Sequence, residues 1–186
     1  MSTKVVTGKV RFSYVTIFEP KKQGDSDELK YSVMLLIPKS DTVTLGKIKE
    51  AMAEAREAFC KKNGASALPT TPITPLHDGD GLKPNTGEPY GPECRGCYVI
   101  SVSSKQKPVI VDAFRNEITD PAEVYSGCYG RAAINFYGYN NKKKGIGAGL
   151  LSIQKLHDGE PFGTVGSADD FDDDYSAAGV DDDWAN

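Results

Sequence analysis

The sequence predicts a mainly β protein: an OB-fold-like five-stranded barrel with one amphipathic helix, followed by a disordered acidic C-terminal tail. Three observations carry this expectation. Several short segments alternate apolar and polar residues or are rich in β-branched types, as half-buried strands are. One segment, 41–63, repeats instead at helical period. The last stretch, 167–186, holds eight aspartates and no Lys or Arg. A half-open β-sandwich with a packed helix would give a similar string.

Residues 5–18 (VVTGKVRFSYVTIF) open the chain as a strand, with Val10, Phe12 and Tyr14 on one side and Lys9, Arg11 and Ser13 on the other. A polar turn with Gly24 follows. The next strand, 29–37, puts Tyr31, Val33, Leu35 and Ile37 on one face, and Pro38 stops it. In 41–63, Leu45, Ile48, Met52, Ala55 and Phe59 form the apolar stripe of a helix, with Asp41 or its neighbours as N-cap and Gly64 past its end. Residues 64–96 hold six of the eleven prolines and read as a long loop. Strands resume at 97–104, 108–112, 127–139 and 146–155. Asn140 to Gly145, with Lys142, Lys143 and Lys144, joins the last two as a hairpin. The expected organisation is a folded domain over 1–166 and a tail over 167–186.

Charge separates along the same line. The chain of 186 residues carries 22 Lys and Arg against 26 Asp and Glu, a net −4. Eight of the acids lie in the tail, so 1–166 holds 22 bases against 18 acids, a net +4. A basic body with an acidic arm suits a polyanion ligand. No apolar run is long enough for a membrane span, no signal peptide precedes the first strand, and four cysteines are few for a secreted framework. The expected location is the cytoplasm.

The strand 127–139 carries Tyr129, Arg131, Asn135, Tyr137 and Tyr139 on one parity. Flat rings that stack on bases, beside cations that neutralise phosphates, are what binding an unpaired polynucleotide requires. The candidate nucleic-acid-binding residues are therefore Lys9, Arg11, Tyr14, Lys30, Lys39, Lys105, Lys107, Arg115, Arg131, Tyr137, Tyr139 and Lys142 to Lys144. In the tail, Asp172, Asp173, Asp174, Asp181, Asp182, Asp183 and the lone Trp184 are candidates for contacting partners. Like charge keeps such a segment extended, and a terminal tryptophan offers an anchor. The tail can compete with DNA for the basic surface, or serve only for solubility. Cys94-x-x-Cys97 has the spacing of metal ligands but no second close pair, so no metal and no cofactor are expected. Phosphate-loop, zinc-protease and nucleophile-elbow motifs are missing, which argues against an enzyme. The strings Leu76-His77-Asp78-Gly79-Asp80 and Leu156-His157-Asp158-Gly159-Glu160 repeat without an evident function.

The runs VVTGKVRFSYVTIFEP, KYSVMLLIPKSD, GCYVISVSSKQKPVIVD and EVYSGCYGRAAINFYGYNNKKKGIGAGLLSIQKLHDGEPFG resemble the phage- and prophage-encoded single-stranded DNA-binding proteins. The resemblance covers residues 4–166. It implies an OB fold, sequence-independent binding of single-stranded DNA, and work in phage replication, recombination or repair in the bacterial host cytoplasm. It also implies an acidic tail that contacts replication proteins and modulates DNA binding. Duplex DNA and a second copy of the chain stay open as further partners. The rival reading is an interaction protein whose tail mimics DNA, and a small zinc enzyme is a remoter one.

Overall fold

The computed structural model describes residues 2–22 and 27–162. The elements run β1 (Lys4–Val6), β2 (Val10–Lys22), β3 (Leu29–Pro38), α1 (Thr42–Asn63), β4 (Leu76–Asp78), β5 (Cys97–Ser104), β6 (Val109–Val111), β7 (Tyr129–Tyr139) and β8 (Gly145–His157). Single 3-10 turns stand at Pro92–Cys94 and Pro121–Glu123. The expected tail contacts, Asp172 to Asp174 and Asp181 to Trp184, lie outside the described residues.

Five strands close on themselves. β2 pairs with β3, β3 with β5, β5 with β8, β8 with β7, and β7 returns to β2. All these pairings are antiparallel except β5 with β8, which meet in parallel at Ser103 and Gly149. This is an OB-like ring, in which β2 pairs with β3 on one side and with β7 on the other. β1 and β6 extend the β7–β8 half on its two sides.

Alternation fills the interior. Phe12 and Ile17 from β2, Val33, Leu35 and Ile37 from β3, Ile100 and Val102 from β5, Ile134 and Phe136 from β7 and Ile153 from β8 are all fully buried in one core. α1 lays Leu45, Ile48, Ala51 and Ala55 against that core. Its start is fixed by Asp41, whose carboxylate accepts the Thr44 backbone N–H at 3.0 Å. The Thr44 hydroxyl then accepts the Gly8 N–H at 2.9 Å, tying the helix to the β1–β2 turn.

Two expectations need correction. The stretch 5–18 is not one strand, because residues 7–9 separate β1 from β2, and the chain continues extended to Lys22. The Pro-rich stretch 64–96 is not wholly loop, because β4 adds to the sheet beside β5 and Cys94 ends a 3-10 turn. The repeated Leu-His-Asp-Gly strings have a common structural task. Each ends a strand by clamping a lysine: Asp78 and Asp80 hold Lys39, both at 2.7 Å, and Asp158 holds Lys155 at 2.6 Å. A side chain on either glycine would strike backbone, Cys94 and Cys97 carbonyls for Gly79 and the Gly127 carbonyl for Gly159.

Candidate nucleic-acid interface

Strand register carries a row of small polar residues around the outside of the ring. Thr16 pairs with Ser32, Ser32 with Ser103, Ser103 with Gly149, and Gly149 with Asn135. Paired residues point to the same side of a sheet, so these positions form one band across five strands. Beside it runs a parallel line of Ser13, Met34 and Ser101. Ser13 in that line is buried and Met34 packs against Leu36, Cys94 and Val99, so the line closes one side of the band, which itself holds no large side chain and is a shallow trough with large rings at its ends.

At the β2 end stands Tyr14. The sequence places it with Val10 and Phe12 on the buried parity. The structure turns it outward: its φ is +48°, the β2–β3 register breaks between Ser13 and Thr16, and the side chain is 65% exposed. A β-bulge re-aims one side chain in this way. A left-handed backbone at a tyrosine is costly, and such strain is concentrated at functional positions. At the β7 end, Tyr137 is 46% exposed, and its ring lies over Gly147 and close to Gly149. A side chain at Gly147 would collide with that ring, so the glycines are what let it lie flat.

Cations border the trough. Lys21 and Lys30 face each other across β2 and β3. Like charges directly opposite repel, a cost that a bound anion would relieve. Lys105 reaches Glu28 at 2.6 Å, and Lys30 reaches the same carboxylate at 3.9 Å. Lys107 sits 5.9 Å from the centre of the Phe18 ring. Lys142, Lys143 and Lys144 are exposed on the β7–β8 hairpin.

Other candidates are placed differently. Lys39 is held by Asp78 and Asp80, whose hydrogen bonds drive its pKa well up, and it lies over Tyr98. Tyr139 is half-buried at the hairpin root, its hydroxyl beside Gly145. Arg11 donates from Nε to the Gly127 carbonyl at 2.9 Å and from Nη2 to the Glu160 carbonyl at 2.7 Å. Its guanidinium lies between the rings of Phe162 and Tyr129, 4.3 and 5.1 Å from their centres. Lys9 is 5.6 Å from the Tyr129 ring, which stacks on His157. Arg11 is therefore a clamp between β2 and the chain segments around 127 and 160. Arg11→Ala is expected to lower stability by about 2 kcal/mol, since two charge-assisted hydrogen bonds are lost. Urea denaturation followed by circular dichroism measures this, and an unchanged midpoint would refute the clamp. Arg115 and Arg131 stand apart from the trough, on the β6–β8–β7 face.

Cys94 and Cys97 belong to a small apolar cluster. Cys94 is buried with Leu36 and Val99, and burial pushes its pKa up to about 11. Cys97 borders the same cluster, and burial raises its thiol as well. Among the described residues no three His, Cys, Asp or Glu gather as a metal site would require. No helix among them is long and apolar enough to cross a membrane.

Lys21, Ser32, Met34, Ser101, Ser103, Gly147 and Gly149 lie in this band or along its border, and the sequence reading does not single them out. Strand parity alone could have flagged the serines, but no local signal marks the glycines as a floor for Tyr137.

Ring order and outer trough together define an OB-like module of the kind that receives oligonucleotides on one sheet face. The chain belongs to the Enc34-type family of phage single-stranded DNA-binding proteins: the family model described as "Enterobacter phage Enc34, ssDNA-binding protein" matches residues 3–184. Among curated proteins, "Putative protein p50" of Acyrthosiphon pisum secondary endosymbiont phage 1 is 32% identical over 178 residues, covering 91% of this chain and 93% of that one. The single-stranded DNA-binding protein of bacteriophage Enc34, solved in complex with ssDNA, is 35% identical with a TM-score of 0.70, covering 87% and 90%. The T7 single-stranded DNA-binding protein gp2.5 shares the fold at 14% identity, with a TM-score of 0.57, covering 88% of this chain and 97% of that one.

Proposed function

We propose that this chain is a non-enzymatic protein that coats single-stranded DNA without reading its sequence, in phage replication, recombination or repair in the host cytoplasm. The observation that carries the reading is the band from Tyr14 to Tyr137, bordered by lysines on a chain of this family. Bases would stack on Tyr14 and Tyr137. Phosphates would run past Lys21, Lys30, Lys105, Lys107 and the lysines of the β7–β8 hairpin. The serines offer hydroxyls that suit any base, and the amide of Asn135 already spends its Oδ1 on the Thr3 hydroxyl at 2.9 Å, so it does not present the free donor–acceptor fork that base reading needs.

The acidic tail would compete with DNA for this surface and recruit replication or recombination proteins when DNA displaces it. A tethered segment acts at an effective concentration of about millimolar. Tail binding of even about 0.1 mM affinity would then weaken DNA binding roughly tenfold.

Fluorescence anisotropy with a labelled poly-dT oligomer at low salt tests both parts. The full chain should bind, and absence of binding defeats the reading. Removing residues 167–186 should tighten binding about tenfold. Equal affinity with and without the tail would defeat the competition alone.

A further inference from the structure

Outside the trough, the face made by β1, β7, β8 and β6 carries exposed apolar and cationic side chains of its own. Register places Val6, Ala133, Ser152 and Val109 in one outward line, and Arg131, Gln154 and Val111 in the next. Val6 and Val109 are 42% and 61% exposed. A shallow cleft of about 250 Å³ lies on this face, rimmed by Lys4, Arg115 and Arg131. Among the described residues none of these three cations has an ion-pair partner. Carboxylates close by are few: Asp112 spends Oδ1 on the backbone N–H groups of Phe114 and Asn116, and Glu117 is bridged opposite Val111 at the margin.

The loop after β6 is ordered yet presents an aromatic ring to solvent. Besides the Asp112 carboxylate bonds, the Arg115 N–H donates to the Asp112 carbonyl at 3.0 Å. Gln154 Nε2 donates to the Asp112 and Ala113 carbonyls at 3.3 and 3.4 Å. Arg115 takes φ +68°. At the tip Phe114 is 84% exposed. A loop fixed at this many points has no folding reason to display phenylalanine.

We infer that this face is a second contact surface for single-stranded nucleic acid, which takes the strand as it leaves the trough at its Tyr137 end. The inference rests on the DNA-binding reading and extends it. Continuity carries it: along β7 the outward residues run Tyr137, Asn135, Ala133, Arg131, from the trough directly onto this face. An apolar floor with one exposed ring and three cations that lack an ion-pair partner among the described residues, of which Arg131 gives only its Nε to the Thr7 carbonyl at 2.9 Å, matches the alternation of base and phosphate. Phe114 and Lys4 would act here with Arg115 and Arg131, so the latter two contribute away from the trough.

The test compares oligomers of about 8 and about 24 thymidines, since one OB unit covers roughly 4–16 nucleotides. The full chain is measured against a Phe114→Ala/Val109→Glu double variant, which removes the ring and sets a carboxylate among the arginines. The short oligomer should bind both proteins equally. The long one should bind the variant about tenfold more weakly, with a smaller salt slope. Photocrosslinking through bromodeoxyuridine should label the peptide around Phe114 with the long oligomer only. Unchanged affinity for the long oligomer, or equal weakening of both, overturns the inference. If a synthetic peptide of residues 167–186 binds the full chain and not the variant while long-oligomer affinity is unchanged, the face belongs to an acidic peptide instead. Failure of the unaltered protein to bind either oligomer defeats the DNA-binding reading itself.

Discussion

Replacing Tyr14 and Tyr137 together by alanine is expected to weaken single-stranded DNA binding at least thirtyfold. Each base stacked on an aromatic ring contributes about 1–3 kcal/mol, and two rings lost should cost about 2 kcal/mol or more. The two sites lie on different strands and share no partner, so the single effects should nearly add. Phenylalanine at both positions should retain most of the affinity, because stacking needs the ring and not the hydroxyl. Tyr14 allows a sharper check. Its φ of +48° is a conformation glycine adopts freely. Tyr14→Gly relieves about 1–2 kcal/mol of left-handed backbone cost and gives back roughly 0.5–1 kcal/mol in chain entropy. Stability should stay within about 1 kcal/mol while affinity falls. Anisotropy titration and thermal melting of the same samples read the two quantities. A variant that binds as tightly as the unaltered chain would show that Tyr14 is strained for some other reason.

The second large effect concerns the β7–β8 hairpin. Changing Lys142, Lys143 and Lys144 to glutamine should lower affinity at about 50 mM salt by about two orders of magnitude. Each phosphate neutralised on a single strand adds about 0.7 to the slope of log affinity against log salt. Three lost contacts should reduce that slope by about 2. The variant and the unaltered chain should therefore converge as salt rises toward 1 M. A loss of equal size at every salt concentration would mean that the substitutions disturb the hairpin, and an unchanged slope would mean that these lysines touch no phosphate. All three are exposed, so their removal should cost little stability.

Much of the ring could be read directly from the chain. Val33, Leu35 and Ile37 share one parity and all three are buried in the main core, while Leu36 on the other parity is buried in a second cluster with Cys94 and Val99. The helical stripe of Leu45, Ile48 and Ala55 works the same way, since one face of α1 meets the core. Reading failed where the backbone leaves its period. Tyr14 follows Val10 and Phe12 in parity, yet the irregularity in β2 reverses it. The three residues of β4 are too few to display a period, and they exist as a strand only because β5 lies beside them. Lys39 looks like any exposed cation in sequence, but Asp78 and Asp80, brought over by β4, occupy it.

By itself the sequence determined the chemical inventory: alternating strands, one amphipathic helix, a basic body, an acidic tail and the tyrosines of 127–139. These follow from local period and composition, which each segment carries alone. Only the tertiary structure decided which cations carboxylates clamp, and that Tyr14 and Tyr137 terminate one outer band floored by serines and glycines. Those properties depend on register between strands far apart in the chain. Register is set by the shared core and by breaks in the ladder, and neither is written in any single segment.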